Sequence, residues 1–459
     1  MTPEITIYIT NKNYGRYIKQ SISSALRQNF KNFEVLIIDD GSTDNSKKII
    51  EKYRKKKNVR IFYRNSKSLL KNINFAARAA RGKFLLRLDA DDYLDPNALM
   101  VLYKKINENR EIAMVYSDYY EVDQNGKFLN LNRNITLDKQ SKSLRDIPAH
   151  GACSLIRKVF LEEVGYYDKK VDRQDGYDIW YKFLNNYKIK NVNIPLFYYR
   201  QHLSNITKNQ KKLFKVRAKL VKKFVKKENL LKNKKVAIVI PVRGKQIDNV
   251  CMSMEKFNGK YLLFHTLEQA IKINIKKKII LTTSDNSIIK NVNLKYGKKI
   301  YIYKRSKELS YENTDMKESI LLAVKKFYKN SPDILVVLNF QNPLRETFYI
   351  EKAIHTLLIN GTKVLFSVNK DIKQNYFFYG KKGLKAVRSN NQMRLEREAV
   401  YIQKGGISVF DYKDYENQNK LVKKNTNVGH ILIDKKSSFE VNTDLDLEIC
   451  KKFYKKNFD

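Results

Sequence analysis

Short apolar runs alternate with stretches of helical spacing along this chain, and the alternation starts twice. Ile5-Thr6-Ile7-Tyr8-Ile9 reads as a buried strand ending in the polar turn Thr10-Asn11-Lys12-Asn13. After it, Ile18, Ile22, Ala25 and Leu26 share one helical face. Phe33 to Ile38 reads as a second strand, stopped by Asp39-Asp40-Gly41, with Ser42, Thr43 and Asp44 as natural helix caps. Val59 to Tyr63 and Phe84 to Leu88 are further strands, with a helix over 74–80 between them. A second series opens at Val236-Ala237-Ile238-Val239-Ile240, with strands over 279–281, 300–302, 334–338 and 364–368 and helices over 262–271 and 319–327. Such alternation predicts mostly parallel sheets covered on both faces. The expected fold class is α/β, with two tandem nucleotide-binding-type domains over 1–207 and 235–459.

The stretch between them, 208–234, is dense in Lys, and Leu213, Val216, Leu220 and Phe224 recur at helical spacing. It reads as a basic amphipathic helix joining the domains. It either packs on a neighbouring domain or lies on an anionic membrane surface.

Composition narrows the class. With 42% hydrophobic and 12% aromatic residues in 459, the chain can bury large cores, which excludes global disorder. No apolar run approaches the ~20 residues of a membrane span, and Met1-Thr2-Pro3-Glu4 lacks signal-peptide features. Cys153, Cys251 and Cys450 are too few and too scattered for a disulfide framework or a zinc cluster. The expected setting is the cytoplasm, with peripheral contact at the inner face of the cell membrane. The formal charge of +44 attracts polyanions. The Lys excess is spread along the chain and no nucleic-acid-binding signature accompanies it, so nucleic acid is not an expected partner.

Ligands of open α/β sheets bind beyond the carboxyl ends of the strands. Three acidic clusters are expected there: Asp39-Asp40-Gly41-Ser42-Thr43-Asp44, Asp89-Ala90-Asp91-Asp92, and Asp175 with Asp178. Gathered carboxylates repel unless a cation or an acid–base task holds them. Mg²⁺ or Mn²⁺ takes one or two carboxylates plus substrate phosphates. Asp89 and Asp91 suit a ribose hydroxyl and a metal, and Asp175 suits proton removal from an attacking hydroxyl.

These clusters lie in order with a Gly165-Tyr166-Tyr167-Asp168 turn, a Gln174-Asp175-Gly176-Tyr177-Asp178-Ile179-Trp180 segment and Tyr199-Arg200-Gln201-His202. Over residues 4–207 the pattern resembles the inverting family 2 glycosyltransferases with a GT-A fold. The resemblance implies that Thr10 and Asp40 line the nucleotide base, Asp89 faces the ribose and Asp91 binds metal. It implies Asp175 as general base, with Asp178 a competing candidate because Gln174 stands where an acid is usual. Arg200 and His202 are implied near the diphosphate or metal. The aromatic that often stacks on the base is displaced to Tyr14 by Lys12 and Asn13.

In the second series, Pro241-Val242-Arg243-Gly244-Lys245, Thr282-Thr283-Ser284-Asp285, Asn339 to Arg345, Tyr401 to Ile407 and Val441 to Asp446 follow in order. Over residues 235–457 this resembles the cytidylyltransferases that activate acidic sugars. The resemblance implies CTP and an acidic sugar as partners, Arg243, Lys245 and Arg345 as nucleotide-binding residues, and Asp444 as a metal ligand. Asp248 and Glu255 replace a basic phosphate loop, Asn342 replaces a serine, and Asn442 replaces an aspartate. The expected function is glycosyl transfer from a nucleotide-sugar donor to a glycan or lipid-linked acceptor. The second half is expected either to make a CMP-activated acidic sugar or to be a degenerate binding domain. A basic scaffold binding membrane or polyanion is the remaining alternative.

Overall fold

The structure is a computed structural model. It describes residues 2–133, 151–169, 171, 174–184, 186–202, 210–245, 247–248, 250–311, 314–371, 377–380, 383–386, 400–418, 422 and 428–455. The described residues fall into two compact units, one ending before residue 210 and one beginning there.

The strands of the first unit are β1 (Ile5–Asn11), β2 (Phe33–Asp39), β3 (Val59–Tyr63), β4 (Phe84–Asp89), β5 (Tyr93–Leu94), β6 (Ile112–Val122), β7 (Phe128–Asn132), β8 (Leu155–Arg157) and β9 (Lys188–Arg200). Its helices are α1 (Ile18–Leu26), α2 (Ser46–Glu51), α3 (Leu69–Ala79), α4 (Ala98–Asn107), α5 (Lys158–Glu163) and α6 (Asp175–Leu184). The sheet runs β3-β2-β1-β4-β8-β6-β9-β5, with β7 added to β6. From β3 to β4 all pairings are parallel. β8 is antiparallel to both β4 and β6, and β9 runs parallel to β6. All seven residues of β2 are buried. That is why Val35 to Ile38 reads as a continuous apolar run: both faces of the strand are covered. Register places Thr10 between Ile38 on β2 and Asp89 on β4. Asp39-Asp40 and Asp89 therefore leave the sheet at one carboxyl edge, on either side of β1.

In the second unit the strands are β10 (Val236–Pro241), β11 (Lys256–Phe257), β12 (Lys260–Tyr261), β13 (Lys277–Thr283), β14 (Tyr301–Lys304), β15 (Ile334–Leu338), β16 (Val364–Asp371), β17 (Phe377–Gly380), β18 (Gly383–Ala386), β19 (Val400–Asp411) and β20 (Val428–Leu432). Its helices are α7 (Gln210–Lys227), α8 (Leu262–Lys272), α9 (Asn286–Tyr296), α10 (Met316–Phe327), α11 (Thr347–Asn360), α12 (Tyr412–Asn417) and α13 (Asp444–Lys455). The main sheet runs β14-β13-β10-β15-β19-β16-β20. β14 to β15 pair in parallel, β19 is antiparallel to β15 and β16, and β20 is parallel to β16.

α7 lies within the stretch read as a joining helix. It buries Leu213, Phe214, Ala218, Leu220, Val221, Phe224 and Val225. The Phe214 ring meets Tyr349 of α11 at 6.3 Å, and the Lys352 amine lies 5.2 Å from its centroid. The helix is thus docked on the second unit by its apolar face. Among the described residues no helix is long and apolar enough to cross a membrane.

Candidate active site

β4 delivers Asp89 as its last residue, and the chain then turns so that the Asp92 N–H donates to the Asp89 carbonyl at 3.1 Å. Arg87, two residues earlier and so on the same strand face, donates from Nε to Asp89 Oδ1 at 2.7 Å. Asp91 Oδ2 lies 2.9 Å from Nε2 of His202, just past β9. The imidazole is fixed by rings: it stacks on Tyr17 at 5.3 Å and meets the edge of Tyr14 at 5.8 Å. The fold brings Asp91 and His202 together across 111 residues of chain.

Asp92 is 1% exposed, and its Oδ1 accepts the Arg200 main-chain N–H at 2.9 Å. Burial first, then the neighbouring charges of Asp91 and Asp89, push its carboxyl well above the usual range. The same surroundings, burial foremost, raise the Tyr14 hydroxyl.

Arg200 differs from its expected role over a diphosphate. It is 2% exposed. Nε donates to the Asp91 carbonyl at 2.8 Å, Nη2 to Gln20 Oε1 at 2.7 Å, and Nη1 to the carbonyls of Gln124 at 3.1 Å and Asp123 at 3.4 Å. Its forked donors are committed to protein oxygens, so it acts here as a clamp around the Asp91 turn.

On the other side of β1, Asp39 builds the turn: Oδ1 accepts from Asn11 Nδ2 at 2.7 Å and Oδ2 from the Ser42 N–H at 3.0 Å. Asp40 Oδ1 accepts the N–H groups of Ser66 at 2.6 Å and Lys67 at 3.2 Å. Burial alone would raise the Asp40 carboxyl. Hydrogen bonds from Ser66, Asn72 and Lys67 outweigh that and hold it below its ordinary value.

Asp175 opens α6; its side chain lies outside the described residues. Asp178 is fully buried, with Oδ2 accepting the Asp168 N–H at 3.0 Å and lying 2.8 Å from Lys182 Nζ. The Gly165-Tyr166-Tyr167-Asp168 turn that presents this N–H is held by Asn74 of α3, which exchanges two hydrogen bonds with Tyr167 at 2.8 and 3.0 Å. Asp178, the competing base candidate, is therefore placed as an internal tie, closed to an incoming hydroxyl.

Among the described residues no group of three or more His, Cys, Asp or Glu side chains is placed to hold a metal alone. Asp91 and His202 still offer a carboxylate oxygen and an imidazole nitrogen side by side. Mg²⁺ or Mn²⁺ bound there would complete its shell from substrate phosphates and water. The pair fits such an ion, while Asp89 is held by Arg87.

The corresponding edge of the second unit is basic. A cavity of about 170 Å³ is lined by Arg243, Asp248, Arg305, Asn339 and Gln341, among others. Arg305 is 5% exposed, donates from Nη2 to the Val242 carbonyl at 3.1 Å, and has no partner at Nε. Burial first, then Arg243, pushes its pKa down to about 10. Gly244, at φ +84°, lies so close to Asp285 that a Cβ would come within 2.4 Å of Oδ2. Asp285 in turn caps α9 through the N–H groups of Ser287 and Ile288.

Three expectations for this edge meet other placements. Arg345 is 2% exposed, with its donors on Gln269, Thr266 and the carbonyls of Gly405 and Gly406 at 2.9–3.1 Å. Burial holds its pKa down to about 9, and it is an internal tie rather than a presented phosphate ligand. Lys245 Nζ is met by Glu255 at 2.6 Å. Asp444 is exposed at the start of α13, while Thr443 and Asp446 form a reciprocal capping box at 3.0 and 3.2 Å.

The Glycosyl transferase family 2 model matches residues 6–165, and the Cytidylyltransferase model matches residues 253–453. The chain joins a family 2 glycosyltransferase domain to a cytidylyltransferase domain. The hyaluronan synthase of Pasteurella multocida is 25% identical over 72% of this chain and 34% of its own length. An uncharacterized glycosyltransferase of Rickettsia bellii is 31% identical over 39% of this chain and 27% of its own. The chain thus spans about a third or less of the length of these curated relatives. Among solved structures, S. aureus TarS 1–349 aligns at 20% identity and TM-score 0.37, covering 48% of this chain and 65% of that one. A CMP:2-keto-3-deoxy-manno-octonic acid synthetase complexed with CTP aligns at 14% identity and TM-score 0.37, covering 48% and 98%.

In the glycosyltransferase domain, sequence reasoning passed over Arg87, Tyr17 and the burial of Asp92. Arg87 was findable from the two-residue period of its strand. The stacking of Tyr17 on a residue 185 positions later left no local signal. In the cytidylyltransferase domain Arg305 was missed, although it directly follows the β14 strand end.

Proposed function

We propose that the chain is an inverting glycosyltransferase that moves a sugar from a nucleotide-sugar donor to a glycan or lipid-linked acceptor in surface-polysaccharide or glycoconjugate synthesis. The observation that carries this reading is the Asp91–His202 contact at 2.9 Å, made at the same sheet edge that presents Asp89 and Asp40. The similarity to a hyaluronan synthase and to chondroitin synthases supports a glycan product. The proposed setting is the cytoplasm or the inner face of the cell membrane.

In this reading Thr10 and Asp40 receive the nucleotide base, and Asp89, oriented by Arg87, receives the ribose. Asp91 and His202 would hold a divalent ion, which when bound would supply positive charge opposite the departing diphosphate. The acceptor hydroxyl attacks the anomeric carbon from the face away from the diphosphate, and the carbon–oxygen bond to phosphate breaks. Asp175 takes the hydroxyl proton; the burial of Asp178 and its pairing with Lys182 support this assignment over the alternative. Arg200 positions the Asp91 turn. The test is nucleotide release from UDP-, GDP-, dTDP- and CMP-sugars with Mn²⁺ and a panel of glycan acceptors. Release from one donor, strongly reduced by Asp91→Ala, is expected. No release from any donor overturns the reading.

The cavity lined by Arg243 and Arg305 favours a second reading for the other half: it binds a nucleotide, and CTP-dependent activation of an acidic sugar is its candidate activity. The cavity is smaller than the ~300–1,000 Å³ of common ligand clefts, which suits a base better than a whole nucleotide. The pairing of Lys245 with Glu255 and the commitment of Asp446 to a cap support binding more directly than transfer. Full-length Asp91→Ala protein with CTP, Mg²⁺ and acidic sugars separates the two. Pyrophosphate release establishes transfer; CTP binding without release leaves a binding domain.

A further inference from the structure

Lys211, Lys215, Lys219, Lys223 and Lys227, all exposed, follow one another at i,i+4 positions in a row that winds about 160° around the solvent side of α7. At 1.5 Å per residue this row runs about 24 Å. Like charges at that spacing repel, and α7 contains no acidic residue. Glu346 meets Lys211, and Glu351 lies 3.2 Å from Lys222. The apolar face is docked on α11, so the row is a fixed rail rather than a mobile tail.

Lys215 also lines an open groove of about 460 Å³. Lys260, Lys272 and His265 line it too, together with two aromatic rings, Phe348 and Tyr454. Tyr454 is 48% exposed, and its ring is steadied edge-on by Phe257 at 5.4 Å. Two carboxylates share the wall, but both are met by lysines: Glu268 by Lys260 at 2.7 Å and Lys295 at 3.3 Å, Glu346 by Lys211. Cations along a line suit a chain of spaced negative charges. Aromatic faces in a groove suit the C–H surfaces of sugar rings. A bilayer would touch the rail without entering the groove.

We propose that the second unit binds an acidic glycan chain, one bearing carboxylate or sulfate groups at intervals, in this groove and along the α7 rail. The site is separate from the sheet edge that holds Arg243 and Arg305. It requires catalysis by neither half.

The test is calorimetric titration of the full chain with a hyaluronan decasaccharide, using neutral dextran as control. Hyaluronan is expected to bind, more weakly as salt screens the charges, and dextran is not. Combined Lys215→Gln, Lys219→Gln and Lys272→Gln, all at exposed positions, is expected to weaken binding about tenfold or more, a change of about 1.4 kcal/mol. Tyr454→Ser is expected to weaken it severalfold through the ring alone. Asp91→Asn, which disables the proposed transfer site, is expected to leave binding unchanged, so failure of the transferase reading does not register here. Absence of hyaluronan binding at low salt overturns the proposal, as does affinity untouched by the triple variant. Tighter binding to phosphatidylglycerol vesicles or duplex DNA than to hyaluronan also overturns it, in favour of those partners.

Discussion

With the short β5 and the appended β7 set aside, the strands of the first unit lie in the order third, second, first, fourth, sixth, fifth, seventh. The main sheet of the second unit repeats that order and the same sequence of parallel and antiparallel pairings. At the carboxyl edge the two part company. The fourth strand ends on Asp89 in one unit and runs into Asn339 in the other. Two residues past the seventh strand stands His202 beside Asp91 in the first unit. In the second it is Asp434, which accepts the Tyr349 hydroxyl at 2.6 Å. One edge gathers carboxylates around Asp91, and the other lines a small cavity with arginines. The same wiring thus frames opposite electrostatics, and chemistry has to be argued from the edge, not the wiring.

Five measurements break or sharpen this contrast. The largest effect is expected for Asp175→Ala, about 10²–10⁴-fold in kcat for lost proton removal, with CTP binding by the second unit unaffected. Asp91→Ala is expected to cost on the order of 10²–10³-fold in nucleotide release by removing charge support at the diphosphate. If either also abolishes CTP binding, the two edges are not independent. Asp178→Ala is expected to destabilise the protein by about 3–5 kcal/mol in urea unfolding, because Lys182 loses its buried partner. The kcat of the folded fraction should change little, and a kcat loss matching Asp175→Ala would reinstate Asp178 as base. Arg305→Ala is expected to weaken nucleotide binding by about tenfold, the value of a hydrogen bond from a charged group, and to spare sugar transfer.

The smallest effect concerns pH. The Asp40 carboxyl is held below its ordinary value in the fold. Its stabilising contribution is therefore complete above the unfolded pKa, about 3.9. It is lost as pH falls below that through the folded value. Asp40→Asn should flatten the acid limb of the stability–pH profile below about pH 4 and leave the pH dependence near neutrality unchanged.

The strands around each switch point were legible because buried parallel strands read as apolar runs, as in β2 and β15. The Asp91 turn was legible because carboxylates at a strand end are costly without a task. The fates of Arg200, Asp178 and Arg345 were not. A charged residue reads alike whether it faces a ligand or is buried against carbonyls, and only the fold shows which oxygens reach it first. The shared strand order was equally hidden, since β8 and β19 insert between strands that precede them in sequence.

The Arg200 clamp makes remote loops hereditary partners. One side chain grips α1 through Gln20, the Asp91 turn, and the bend between β6 and β7 through Asp123 and Gln124. Grafting α1 or the β6–β7 bend from a relative, or exchanging the arginine for lysine, would shift Asp91 even though neither graft touches it. Moving the Asp91 turn intact means transplanting all three together.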